Sequence, residues 1–170
     1  MAGPLLSGAA PESQTLVLGL GNILFQDEGL GVRAAEVLRS VYVLPESVVV
    51  LDGGTLGLDL LAYFAAADRI LILDAVRSSQ SPGSLVRLEG KQIPAALAQK
   101  MSMHQVGLQD LMAASTLRGL LPDKVVLWGI EPDTIDWGED LSPAVSAALP
   151  ALVQSAVKEL LEWGLAVKAM

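Results

Sequence analysis

Gly19-Leu20-Gly21-Asn22-Ile23-Leu24-Phe25-Gln26-Asp27-Glu28-Gly29-Leu30-Gly31 follows directly on the apolar run Thr15-Leu16-Val17-Leu18 and runs into a stripe of Leu30, Ala34, Val37, Leu38 and Val41. A short apolar run bounded by glycine predicts a buried strand, and apolar residues recurring every three or four positions predict a helix. Asp27 and Glu28 therefore stand on a strand-to-helix connection, where α/β proteins carry their chemistry.

The same alternation extends outward along the chain. Val48 to Leu51, Ile70 to Leu73 and Val125 to Ile130 are further apolar, β-branched runs. Thr55 is placed to cap a second helix carrying Leu56, Leu60 and Phe64. A third helix is expected through Leu108, Leu111, Met112 and Ser115, ending near Gly119. The last has Ser142 as N-cap and Pro143 in its first turn, with Val145, Leu149, Leu152, Val153, Ala156 and Leu160 on one side. Continuous apolar strands alternating with amphipathic helices predict a mostly parallel sheet covered on both faces, a doubly wound α/β three-layer sandwich. Ser84 to Glu89 follows the turn Ser81-Pro82-Gly83 and alternates in character, which predicts an exposed or antiparallel edge strand.

With 170 residues, 52% of them apolar, the chain suffices for one domain, expected over residues 15–165. Residues 1–14 read as a loose leader, without the basic region of a secretory signal. The formal charge of -8 excludes a nucleic-acid surface, which needs clustered Lys and Arg. No cysteine is present, so disulfides, thiolate metal cages and thiol nucleophiles are excluded. The apolar runs are read as falling short of the roughly 20 residues a bilayer span needs, so no membrane insertion and a cytoplasmic location are expected.

Three strands end in polar groups: Gly19-Leu20-Gly21-Asn22, Asp52-Gly53-Gly54-Thr55 and Asp74. In an open parallel sheet these carboxyl ends form one crevice, so Asp27, Glu28, Asp52 and Asp74 become candidates for one acidic site. The single histidine, His104, lies where the third helix should begin. Carboxylates and one imidazole form a mixed donor set suited to nickel, zinc, manganese or iron. Each residue also has a plainer reading: Asp27 and Glu28 as first-turn acids, Asp74 and His104 as caps, Asp52-Gly53-Gly54 as a tight turn. Glu131, before Pro132, reads as solvated loop.

A dinucleotide fingerprint requires a third glycine where this chain has Leu24, although Asp52 keeps the place of a ribose-binding acid. Neither a P-loop nor a Gly-x-Ser-x-Gly elbow occurs.

Gly19-x-Gly21-Asn22 with Asp27-Glu28-Gly29-x-Gly31, Asp52-Gly53-Gly54-Thr55, Asp74-Ala75 and Ser102-x-His104-Gln105-x-Gly107-Leu108, in that order, resemble the nickel-iron hydrogenase maturation endopeptidases over about residues 15 to 165. The resemblance implies a twisted five-stranded sheet between helices. It implies removal of a C-terminal peptide from the nickel-loaded precursor of the hydrogenase large subunit. It assigns Glu28, Asp74 and His104 to metal, and the Asp52-Gly53-Gly54-Thr55 loop to substrate recognition and cleavage. The nickel is then supplied by the substrate, and other divalent ions are compatible with the same donors. Cleavage then goes either through the ion, which polarises the scissile carbonyl or activates a water, or through a carboxylate such as Asp52 or Asp27 acting as general base while the nickel only positions the substrate. The competing classes are a non-catalytic module that binds or chaperones the nickel precursor, and a nucleotide-binding oxidoreductase. The related spore germination endopeptidases fit less well, being larger and acting on a different substrate.

Overall fold

The computed structural model describes residues 13–54, 56–97 and 103–170, with backbone alone for 103–106. Strand β1 (Thr15–Leu20) leads through a 3-10 turn (Gln26–Gly29) into α1 (Leu30–Val41), and β2 (Tyr42–Val43) follows at once. After β3 (Val48–Gly54), a second 3-10 turn (Gly57–Leu60) opens α2 (Leu61–Ala66). Then come β4 (Arg69–Ala75), β5 (Leu85–Glu89), α3 (Gln92–Leu97), α4 (Met103–Leu117), β6 (Lys124–Ile130), α5 (Pro143–Glu162) and β7 (Lys168–Ala169).

The main sheet has the order β3-β1-β4-β6-β5, parallel except for β5, which runs antiparallel to β6 at one edge. This is the expected five-stranded α/β sandwich. Successive side chains on each strand point to opposite faces. Leu16, Leu18, Ile70, Ile72, Val125 and Leu127 join Phe64 of α2, Ile93 of α3 and Leu111 of α4 in one core. Val17, Leu71, Leu73 and Val126 meet Leu30 and Leu38 of α1 and Leu152 and Leu160 of α5 in the other. The chain passes from β1 to β3 on one side and then to β4 on the other, so the strand order reverses at β1 and β4. Open α/β sheets offer a crevice at such a reversal.

Close approach of α1 to the sheet depends on Gly31. A Cβ there would lie 2.0 Å from the Leu73 carbonyl oxygen and 2.4 Å from that of Leu20.

Some expectations change. The domain extends past residue 165, because β7 pairs with β2 and the Met170 N–H donates to the Val41 carbonyl at 2.9 Å. At its start, the Gln14 N–H donates to the Asp68 carboxylate at 2.7 Å, so Gln14 belongs to the fold rather than to a leader. Residues 1–12 and the proposed Thr55 cap lie outside the described residues. The 20-residue α5 is long and apolar enough to cross a membrane, against the reading of the sequence. Its apolar stripe is the core contact of a packed helix, as Val145, Leu152, Val153, Ala156 and Leu160 are buried. Ser142 caps it as expected, accepting from the Val145 N–H at 3.5 Å.

The last turns of α5 are also tied to the sheet by charge. Glu159, almost buried, accepts from Arg87 Nε and Nη2 at 3.0 and 2.8 Å and from Trp128 Nε1 at 2.8 Å. The Arg87 hydrogen bond, reinforced by Trp128, holds the Glu159 carboxyl below the ordinary value of 4.5 despite the opposing pull of burial. A depressed carboxyl stabilises the fold fully above its unfolded value and loses that contribution as pH falls through the folded one. Glu159→Gln should therefore lower unfolding free energy by about 1–3 kcal/mol at pH 7. Urea titrations across pH should show the gap to the native chain shrinking below about pH 4.5.

Candidate active site

The first loop of the crevice is set by backbone packing. Gly21 has φ +117°, and a Cβ on it would lie 1.7 Å from the Glu28 carbonyl oxygen. The segment thus folds back until its start touches the 3-10 turn that carries Asp27 and Glu28. That turn packs against β4, whose end holds Asp74. Glu28 is 8% exposed and Asp74 fully buried. One Asp74 oxygen, Oδ1, accepts from the Ala75 N–H at 2.8 Å.

The second loop leaves β3. The Gly21 N–H donates to the Gly54 carbonyl at 3.0 Å, joining the β1 and β3 exits. Asp52 is exposed, and its Oδ1 accepts from the Gly54 N–H at 2.9 Å. Together with Gly21, Asn22, Ile23, Val32 and Gly54 it lines a cleft of about 200 Å3. Gly53 is buried, because its missing side chain makes room for Leu18, Leu20 and Leu60.

The third component is the start of α4. Gly57 and Gly107 meet backbone to backbone, a Cβ on Gly57 lying 3.3 Å from the Gly107 Cα. Residue 104 is one turn before Gly107, so the helix begins at the carboxyl edge beside the β3 exit. The His104 side chain lies outside the described residues. Among the described residues no three His, Asp or Glu side chains group as a metal cage. A larger apolar cavity of about 760 Å3, lined by Lys91, Met112, Leu117 and Val125 among others, lies at the opposite end of β6, away from these loops.

Asp27 stands apart from the other acids. It is fully buried, and its Oδ2 accepts from the Asp133 and Thr134 N–H groups at 2.9 and 3.0 Å and from Ser142 Oγ at 2.8 Å. Its Oδ1 accepts from the Ser142 N–H at 2.7 Å. With four donors on two oxygens, this carboxylate holds the 131–142 segment. The plain first-turn reading and the catalytic reading of Asp27 both miss these partners. Glu131 is likewise no solvated loop residue. It is 5% exposed, and its Oε2 accepts from the Ser78 N–H and Oγ at 2.5 and 2.7 Å.

Segment 131–142 was absent from the sequence-based site. Its attachment depends on partners 106 to 115 residues away, which leave no local pattern. A Trp among five acids within ten residues, Glu131 to Asp140, was the available signal.

Comparison with known proteins places the chain in a family. The hydrogenase maturation protease (HycI) family profile matches residues 32–159. The chain belongs to the hydrogenase maturation protease family. It is 40% identical over 168 residues to the hydrogenase expression/formation protein HupD of Rhizobium leguminosarum bv. viciae, covering 98% of this chain and 83% of that protein. It is 39% identical to the hydrogenase 2 maturation protease of Escherichia coli K12, covering 88% of this chain and 92% of that one. Its fold superposes on the hydrogenase maturating endopeptidase HybD from E. coli with a TM-score of 0.88 and 38% identity, over 92% of this chain and 97% of the other. The chain is thus a hydrogenase maturation endopeptidase, a hydrolase, and the oxidoreductase alternative falls away.

In this protease, Asp27→Asn should place an amide N–H against the Ser142 N–H or the Oδ2 donors. Hydrogen bonds to charged groups contribute about 1.5–3 kcal/mol each, so a stability loss of that order is expected in urea titrations. Ser142→Ala, which leaves the carboxylate in place, should shift stability the same way. An Asp27→Asn chain of native stability and no proteolysis would instead make Asp27 the general base.

Proposed function

We propose that this protease removes a C-terminal peptide from the nickel-loaded precursor of a hydrogenase large subunit in the cytoplasm. In this reading Glu28, Asp74 and His104 engage the nickel carried by the precursor, and Asp52-Gly53-Gly54-Thr55 recognises and cleaves the chain. The observation that carries the reading is the pairing of two sheltered carboxylates with one exposed one. Glu28 and Asp74 sit at the strand reversal with the start of α4 at the same edge, while Asp52 opens into the adjoining cleft.

The donor chemistry supports substrate-borne nickel. Carboxylate and imidazole engage a nickel already held by thiolates without offering thiolates that would compete for it. The chain has no cysteine with which to strip the metal. Bound to both partners, the ion couples cleavage to completed loading, and a divalent ion near a carbonyl polarises it.

Asp52 is the better base of the two carboxylates considered. Asp52 is exposed in the cleft, whereas the Asp27 oxygens already accept four hydrogen bonds. In the proposed step Asp52 takes a proton from water, the water oxygen bonds to the scissile carbonyl carbon, and the carbon–nitrogen bond breaks as the amine leaves protonated.

Incubating nickel-loaded and nickel-free precursor separately, and weighing the large subunit by mass spectrometry, tests the reading. A mass loss confined to the loaded form is expected. Equal cleavage of both would remove the nickel gate, and stable complex formation without a shortened product would make the chain a binding module. Glu28→Gln, Asp74→Asn and His104→Ala should each reduce processing beyond the about 10–100-fold cost of losing an outer metal partner. For Asp52→Asn, retained precursor binding with turnover down by about 100- to 10,000-fold is expected for a lost general base.

A further inference from the structure

The loop from Leu24 to Asp27 and the segment from Thr134 to Gly138 lie side by side as a short ribbon. The Gly138 N–H donates to the Leu24 carbonyl at 2.8 Å, the Gln26 N–H to the Gly138 carbonyl at 2.7 Å, and the Asp27 N–H to the Thr134 carbonyl at 3.2 Å. Thr134 Oγ1 adds a bond to Gln26 Oε1 at 3.0 Å, and Arg33 of α1 donates to the Glu139 carbonyl. The Asp27 carboxylate fastens both ends of the segment. Nothing in this arrangement buries Trp137. It is 74% exposed, touching the edge of Phe25 at a ring separation of 5.1 Å and an interplanar angle of 90°.

Ile23 and Leu24, 45% and 40% exposed, continue the apolar surface from the same ribbon, and Ile23 is itself a wall of the Asp52 cleft. Leu56 and Leu58, more than half exposed, stand on the other loop bordering that cleft. An isolated exposed apolar residue needs no explanation, but several around one cleft mark an interaction surface. The surroundings of Trp137 define the partner further. Asp133, Asp136, Glu139 and Asp140 are exposed around it, and residues 131–142 contain no Lys or Arg.

We propose that Trp137, with Ile23 and Leu24, is the docking point for the hydrogenase large-subunit precursor, received on an apolar spot of that protein bordered by basic side chains. The inference rests on the function proposed above and adds where the substrate is gripped outside the cleft. The occupant follows from position and charge. The surface meets the cleft wall at Ile23, so a chain seated in the cleft is within reach of it, and the ring of carboxylates favours a partner with Lys or Arg around the contact. Trp is the residue type most enriched among side chains that dominate binding energy, and a rigid, preset platform spends little entropy on engagement. Charge at its rim adds steering that salt weakens.

The test compares the native chain with Trp137→Ala, Trp137→Phe and the pair Glu139→Lys with Asp140→Lys on nickel-loaded precursor. Two quantities are read: KM and kcat for processing, and precursor affinity in an Asp52→Asn background. Trp137→Ala should raise KM and weaken affinity on the order of thirtyfold, as for a dominant interface residue, with kcat within about twofold. Trp137→Phe should recover most of the loss. The charge-reversed pair should weaken affinity at low salt and converge on the native chain at high salt. Native KM and affinity in Trp137→Ala would overturn the docking point while leaving the processing reading intact. If the native chain does not process the precursor, the processing reading fails. Affinity then decides alone: Trp137-dependent binding sustains the docking point, and Trp137-independent or absent binding overturns it.

Discussion

The buried carboxylate of Asp27 ties together two parts of the chain that are more than a hundred residues apart and decides what the mouth of the crevice looks like. A buried charge persists only where donors satisfy it, and leaving such donors without an acceptor is itself costly. Here the donors are two loop N–H groups, a helix-capping hydroxyl and the N–H of that same Ser142. Helix α5, the 131–142 segment and the turn bearing Glu28 are therefore located by one hydrogen-bonded carboxyl group. Glu28 lies next to Asp27 in sequence, so the link that fixes the outer wall also fixes a residue of the proposed nickel site.

Around this link the fold works by backbone proximity. Gly21 against the Glu28 carbonyl and Gly31 against the carbonyls of Leu20 and Leu73 bring main chains closer than a side chain would permit, and Gly57 and Gly107 meet in tight backbone contact. The loops at the carboxyl edge accordingly have little room to shift. A site meant to test whether an ion has been placed correctly benefits from such pre-set spacing, because ligands held in advance respond sharply to position.

The sequence was most legible where packing is periodic. Helix α1 spans Leu30–Val41, matching its apolar stripe; the four parallel strands lie on their expected apolar runs, and the edge strand β5, with Val86 buried and Leu85 and Arg87 exposed, lies on its alternating one. Helix α3 was missed, since six residues with Pro94 in the first turn carry too little periodicity. The β2–β7 ribbon was missed for a related reason: two-residue strands have no pattern of their own. The acids tell a similar story. Asp27, Glu28, Asp52 and Asp74 could be picked out as a group from their strand ends, but which of them is sheltered, which is open and which is saturated with donors depends on distant partners. Glu131 reads as an ordinary loop acid, and the anchoring role of Asp27 leaves no mark, because neither the Ser78 nor the Ser142 contact is local.

Fastening at Asp133, Thr134 and Ser142 also gives the intervening stretch a particular freedom. The backbone between those posts is held at Gly138 and Glu139, but the side chains of Trp137, Glu139 and Asp140 face outward, so a change of side chain there leaves Glu28 and Asp74 where they are. Insertions between Gly21 and Gly29 have no such allowance, since that segment must close back onto itself. The molecule thus divides into a portion where drift is punished and a portion where it is cheap. A lineage of such enzymes can diverge in choice of partner through the span while inheriting the chemistry unchanged.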